Sequence, residues 1–118
     1  MIEVMHAEAA EMFGLFELDD SGNVLYSRAH PIERRDSTAS STVGQNFFRE
    51  VAKFENREDL RSHFRQFVAS RSPADNFKFD CVFGQRTVKA RISMIRGHEA
   101  DAEHYADIVI MDIRHDAN

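Results

Sequence analysis

Apolar positions change their period along this chain, and each change marks an element. Ile2, Met5, Ala9 and Met12 recur three or four residues apart. That is the narrow stripe of a short helix over Glu3 to Met12. A helix of this length is marginal alone and needs a partner surface. FGLFEL, Phe13 to Leu18, then reads as a strand. It runs into the turn formers DDSGN, Asp19 to Asn23, and Val24-Leu25-Tyr26 returns as a second strand, so the pair is a hairpin. Asp19, Asp20 and Asn23 lack the alternating oxygens and closing glutamate of a calcium loop, which leaves a plain turn. Ala29 to Thr42 is polar, carries Pro31, and reads as a loop.

Thr42 to Ala52 holds short helical pieces around Phe47 and Phe48. A longer helix starts at Asn56, which suits an N-cap, with Glu58 and Asp59 at the positive end of its dipole. It runs to about Ser70 and stops before Pro73. Leu60, Phe64, Phe67 and Val68 make its apolar stripe, and His63 lies on the same stripe. Beyond Pro73 the period falls to two. Phe77, Phe79, Cys81 and Phe83 alternate with Lys78, Asp80 and Val82; after the turn Gly84-Gln85-Arg86, Val88, Ala90, Ile92 and Met94 alternate with polar residues. Gly97 to His104 reads as a charged loop. Tyr105 to Ile113 is almost continuously apolar, as a central strand is. The order is strand, strand, helices, and three strands. It predicts an α+β fold: a five-stranded antiparallel sheet with helices packed on one face and a short N-terminal helix. Residues 1–12 are expected to form a cap helix and residues 13–114 a single domain.

Composition adds boundaries. A chain of 118 residues suits one domain with a core of its own. A net charge of -5 argues against a general nucleic-acid or anionic-membrane surface. The one cysteine, Cys81, excludes an internal disulfide and fits a reducing compartment. MIEVMHAEAAEMF lacks the order of a secretion signal, and no apolar run reaches transmembrane length. The expectation is a cytoplasmic protein.

The ordered set Leu18-Asp19, Gly22-Asn23, Val24-Leu25, Gly44-Gln45-Asn46-Phe47-Phe48 and Val51-Ala52 resembles a PAS domain, over about Phe13 to Arg114. It is closest to the photoactive yellow protein branch. The resemblance implies a sensory module with a pocket between helices and sheet. In the yellow proteins a cysteine just after the Val-Ala pair bonds a coumaroyl chromophore; here Phe54 stands there. A gapless reading puts Ser27 and Pro31 where a tyrosine and a protonated glutamate hold the phenolate. The cysteine of flavin-binding PAS domains is missing as well. The resemblance therefore carries the fold and not the photochemistry.

The candidate pocket comprises Phe47, Phe54, Leu60, His63, Phe64, Phe67, Phe79, Cys81 and Ile92. These residues can line a space for a small apolar ligand or fill it, and Phe54 is shaped to plug the place of a bound ring. No cofactor is expected. The alternative is a haem-based gas or redox sensor through His63, because haem-binding PAS sensors carry their iron-ligating histidine on the corresponding helix. His98 and His104, around Glu99, Asp101 and Glu103, read as a solvated loop and not as a metal site. No nucleophile elbow, phosphate loop or histidine-carboxylate helix motif is present, so no enzyme is expected. The leading expectation is a stand-alone signalling module that acts by protein–protein contact. A homodimer is expected to form through Ile2, Met5, Ala9 and Met12 and the outer face of the sheet, including Val82 and Ile95.

Overall fold

The computed structural model describes residues 12–29, 42–70, 72–100 and 105–116, with only the backbone described at 29, 98–100 and 105–107. Five strands run in chain order: β1 (Gly14–Leu18), β2 (Val24–Ala29), β3 (Ala74–Phe83), β4 (Arg86–Ala100) and β5 (Tyr105–His115). Between β2 and β3 lie a single π-helical turn, Phe47–Val51, and the helix α1 (Arg57–Ala69). The strands form one sheet in the order β2-β1-β5-β4-β3, with every neighbour antiparallel. The α+β class with a five-stranded antiparallel sheet is as the apolar pattern predicts. β5 takes the middle of the sheet, which is why its sequence is apolar on both faces.

The first hairpin turns on Asp19. Its carboxylate accepts from the main-chain N–H of Ser21 and of Asn23, both at 2.9 Å, and from the Asn23 side chain at 3.1 Å. Those donors do the work a cation would do, so the turn needs none. Gly22 has a φ of +92°, and a Cβ there would lie 2.8 Å from the Phe48 ring. Only glycine fits the backbone and the gap together. Across the gap, Asn46 donates to Ser21 O and Asn23 Oδ1, both at 3.0 Å, and accepts from Phe48 and Arg49 N–H. One side chain thereby caps the π-turn and ties it to the hairpin. Phe47 and Phe48 enter the core directly beneath this knot.

Alternation along the strands fixes the inner face. Phe16, Leu18, Cys81, Val88, Ala90, Ile92, Met94, Val109, Met111 and Ile113 are buried there. Phe47, Phe48, Val51, Phe54, Leu60, Phe64 and Phe67 come down on them from the helical side. Each buried phenylalanine contributes on the order of 2 kcal/mol by transfer of area from water. Of the stripe expected of α1, Leu60, Phe64 and Phe67 are buried and Val68 is half-buried against the core.

Several expectations need correction. β2 runs to Ala29 rather than stopping at Tyr26, and β3 begins at Ala74 rather than Phe77. Gly97 to Ala100 is not loop. It continues β4 and pairs with Tyr105 to Ile108. β1 ends opposite Val109 and β3 begins opposite Ile95, so this part of the β4–β5 hairpin is a two-stranded arm projecting past the sheet. Asn56 precedes α1 as predicted, but its side chain makes no cap hydrogen bond. It reaches β3 instead. Met12, placed in the expected dimer stripe, is wholly buried in this chain's own core and offers no surface to a partner. Ile2, Met5 and Ala9, the loop predicted after Ala29 and the acidic segment around His104 lie outside the described residues.

Candidate functional site

The candidate pocket residues divide into two groups. Phe47, Phe54, Leu60, Phe64, Phe67, Cys81 and Ile92 are buried in the core, with Phe79 half-buried against it. His63 stands apart from them.

Phe54 follows the π-turn and precedes α1, where the chain crosses the inner face near the far end of β3. It is 1% exposed. Its ring centroid lies 5.7 Å from that of Phe79 and 6.1 Å from that of Phe83, both tilted toward edge-on packing. Phe54 therefore sits where the two rings of β3 would otherwise face a bound group. Cys81 is on β3 between them. Burial, and then the neighbouring Asp80 charge, push its thiol up to about 12. A thiol so protonated has almost no thiolate at neutral pH, so it is a core filler rather than a nucleophile. Ser27, which the resemblance sets where a tyrosine would hold a phenolate, receives a hydrogen bond from Thr42 Oγ1 at 2.9 Å. Pro31 lies outside the described residues.

His63 does not point into the core. Its ring stacks on Phe77, with centroids 3.7 Å apart and planes 17° apart, and Nε2 lies 2.8 Å from Asp75 Oδ2. The side chain is 37% exposed. A haem ligand on this helix would have to aim a free imidazole nitrogen at a flat group inside, whereas here Nε2 is committed to a carboxylate at the rim. The arrangement does not fit the haem reading. Among the described residues no group of three histidine, cysteine or acidic side chains could hold a metal ion.

His63 instead lines an open cleft of about 250 Å³, together with Gln66, Phe67, Ser70, Ser72, Ala74 and Asp75. Arg96 on β4 binds residues that line it. The guanidinium lies 4.9 Å over the Phe67 ring and donates to Phe67 O at 2.6 Å, Ser70 O at 2.9 Å and Ser72 O at 3.3 Å. It reinforces the end of α1, where Phe67 O also accepts from the N–H and the hydroxyl of Ser70, and holds the two carbonyls just beyond the helix. Neither Arg96 nor Asp75 is legible from the sequence. An arginine in an alternating strand reads as an exposed residue, and the strand was expected to begin after Asp75.

An antiparallel sheet in the order 2-1-5-4-3, with its helical layer inserted between the second and third strands, defines the class: this is the PAS fold. The PAS domain of Bordetella pertussis BvgS superposes with a TM-score of 0.61 over 90% of this chain and 78% of that one, at 13% identity. More specific is the likeness to photoactive yellow proteins. That of Rhodothalassium salexigens is 26% identical over 76% of this chain and 72% of its own length, and that of Halochromatium salexigens 28% identical over 70% and 66%. The photoactive yellow protein domain of the sensor histidine kinase Ppr from Rhodospirillum centenum shares 27% identity at a TM-score of 0.55, over 86% of this chain and 89% of that domain. No family model matches the sequence.

Proposed function

We infer that this protein is a PAS sensory domain that signals by contact with another protein and runs no coumaroyl photocycle. One observation carries the reading. Phe54 stands where the resemblance puts the chromophore-bearing cysteine, and it is packed among core phenylalanines. The only thiol is buried on a strand and held protonated. Phe47, Leu60, Phe64, Phe67, Phe79 and Ile92 surround the same interior, so a small apolar ligand is the class of molecule this core would admit. The contact reading is supported by the outer face of the sheet, where Ile95 is 49% exposed beside Ile110. A second copy of the chain is the first partner to test, with Ile2, Met5 and Ala9 as its proposed contacts.

Two measurements on the purified protein test this together. Its absorption spectrum is expected to show no visible band, with and without added coumaroyl donor or haem. Light scattering at micromolar concentration is expected to give a dimer mass that falls to the monomer when residues 1–11 are removed. A covalently bound pigment overturns the first half of the reading, and a monomer unaffected by the truncation overturns the homodimer.

A further inference from the structure

β3 is an edge of the sheet, and among the described residues only half of that edge is closed. Pro73 O accepts from Arg96 N on β4, so odd-numbered residues of β3 turn their main-chain groups toward β4 and even-numbered ones turn theirs outward. Over the far half the outward groups meet the segment before α1. Asn56 Nδ2 donates to Asp80 O at 2.8 Å, and Val82 N donates to Asn56 Oδ1 at 3.1 Å. Glu55 N donates to Val82 O at 2.7 Å, and Gly84 N to Glu55 Oε2 at 2.8 Å. Upstream, the N–H and C=O of Asn76 and Lys78 and the N–H of Asp80 point the same way. They have no hydrogen-bond partner among the described residues, and all three residues are exposed. The cleft lies at the head of this stretch, with His63, Gln66 and Phe67 of α1 and Ser70 just after it as one wall and Ala74 and Asp75 of β3 as the other.

We propose that this groove between α1 and the open half of β3 binds an extended segment of a partner protein, which adds to the sheet as a sixth strand. An edge strand flanked by a helix supplies both things such recognition needs: main-chain groups for register and a recess for alternate side chains. The recess also states the chemistry of the guest. Its walls are mostly polar, His63, Gln66, Ser70, Ser72 and the Asp75 carboxylate, with Phe67 and Ala74 among them, so inward side chains are short and hydrogen-bonding, with threonine, whose methyl group meets the apolar part, favoured over serine or asparagine. On the other face Lys78 is 69% exposed and only loosely paired, 3.9 Å from Asp116, so the guest residue beside it is acidic or neutral. The inward carboxylate and outward lysine turn away apolar strands, which guards the edge against indiscriminate pairing. This deepens the contact reading above and rests on it.

The test uses the full chain, labelled for amide NMR, and a pool of acetylated, amidated hexapeptides with Ser, Thr or Asn at alternate positions and Glu or Thr between them. At millimolar pool concentration the Asn76, Lys78 and Asp80 amides are expected to shift saturably and to exchange more slowly. Asn76→Pro removes one outward donor without touching the ladder to β4, and is expected to weaken binding by roughly fivefold or more. Gln66→Trp, which fills the recess and spares the edge, is expected to do the same. Unshifted edge amides overturn the proposal, as do shifts confined elsewhere or equal binding of peptides N-methylated at alternate residues. Edge amides already protected in the free protein, increasingly so with its concentration, overturn it in favour of a second copy on that edge. A monomer that binds the pool removes only the homodimer reading, whereas a dimer that ignores the pool removes only this one.

Discussion

At the scale of single residues, the motif that carries the resemblance to the yellow proteins is scaffold. Gly22 leaves room for Phe48, Asp19 organises the turn, and Asn46 fastens the π-turn to it. Gly22→Ala imposes both a strained φ and a clash, and is expected to cost roughly 2 kcal/mol or more, read as a lower urea midpoint. Phe54→Ala is expected to cost about 3–5 kcal/mol, because it opens a cavity beside Phe79 and Phe83. A core ligand already filling that region would make the loss smaller, so the same denaturation curve weighs the apolar-ligand reading. Cys81 supplies a pH signature. Its thiol titrates near 9 when free and near 12 when folded, so folding favours the protonated form. That contribution is complete below pH 9 and is lost as pH rises toward 12. Relative to Cys81→Ala, the wild type should therefore lose stability by up to about 1.4 kcal/mol per pH unit above 9. Equal slopes for the two proteins would show that burial does not hold the thiol protonated.

At the scale of elements, α1 is held at both ends by side chains from outside it or beside it. Asn56 and Glu55 lash its start to β3, and Arg96 holds its end to β4. Arg96→Ala is expected to destabilise by about 2 kcal/mol, with faster amide exchange concentrated in the last turn of α1. Uniform protection loss along the helix would instead mark Arg96 as ordinary packing. These ties show where the sequence stops being readable. Hydrophobic period locates α1 and the strands because burial of area is set locally by which face carries Leu60, Phe64 and Phe67. Asn56 reads as a cap, because its local alternative is visible in sequence while Asp80 and Val82, 24 and 26 residues away, are not. His63 misleads in the same way. Its spacing puts it on the apolar stripe, but the stripe ends at the rim of the core, where Asp75 and Phe77 take the ring. Gly97 looks like the start of a loop, yet it lies in β4, where the missing side chain makes room for Ile108 and Ile110.

At the scale of the whole molecule, the sheet presents unlike borders. Val24 at the β2 border is paired with Gln45 and Gly44, and half of the β3 border is sealed by Glu55 and Asn56. The β4–β5 arm has no third strand beside it among the described residues. A ribbon of two strands holds itself together poorly in water. Native-state hydrogen exchange should accordingly rise in steps, slowest at Ile92, Met94, Met111 and Ile113 and fastest from Gly97 outward, with free energies of opening that separate the two regions. Identical protection from Ile92 to Ala100 would mean that the arm is braced. If the steps are found, this hairpin behaves like a clasp hinged on a rigid plate: what seizes its tip need not disturb the hydrophobic interior, and what swells the interior is felt first at the hinge.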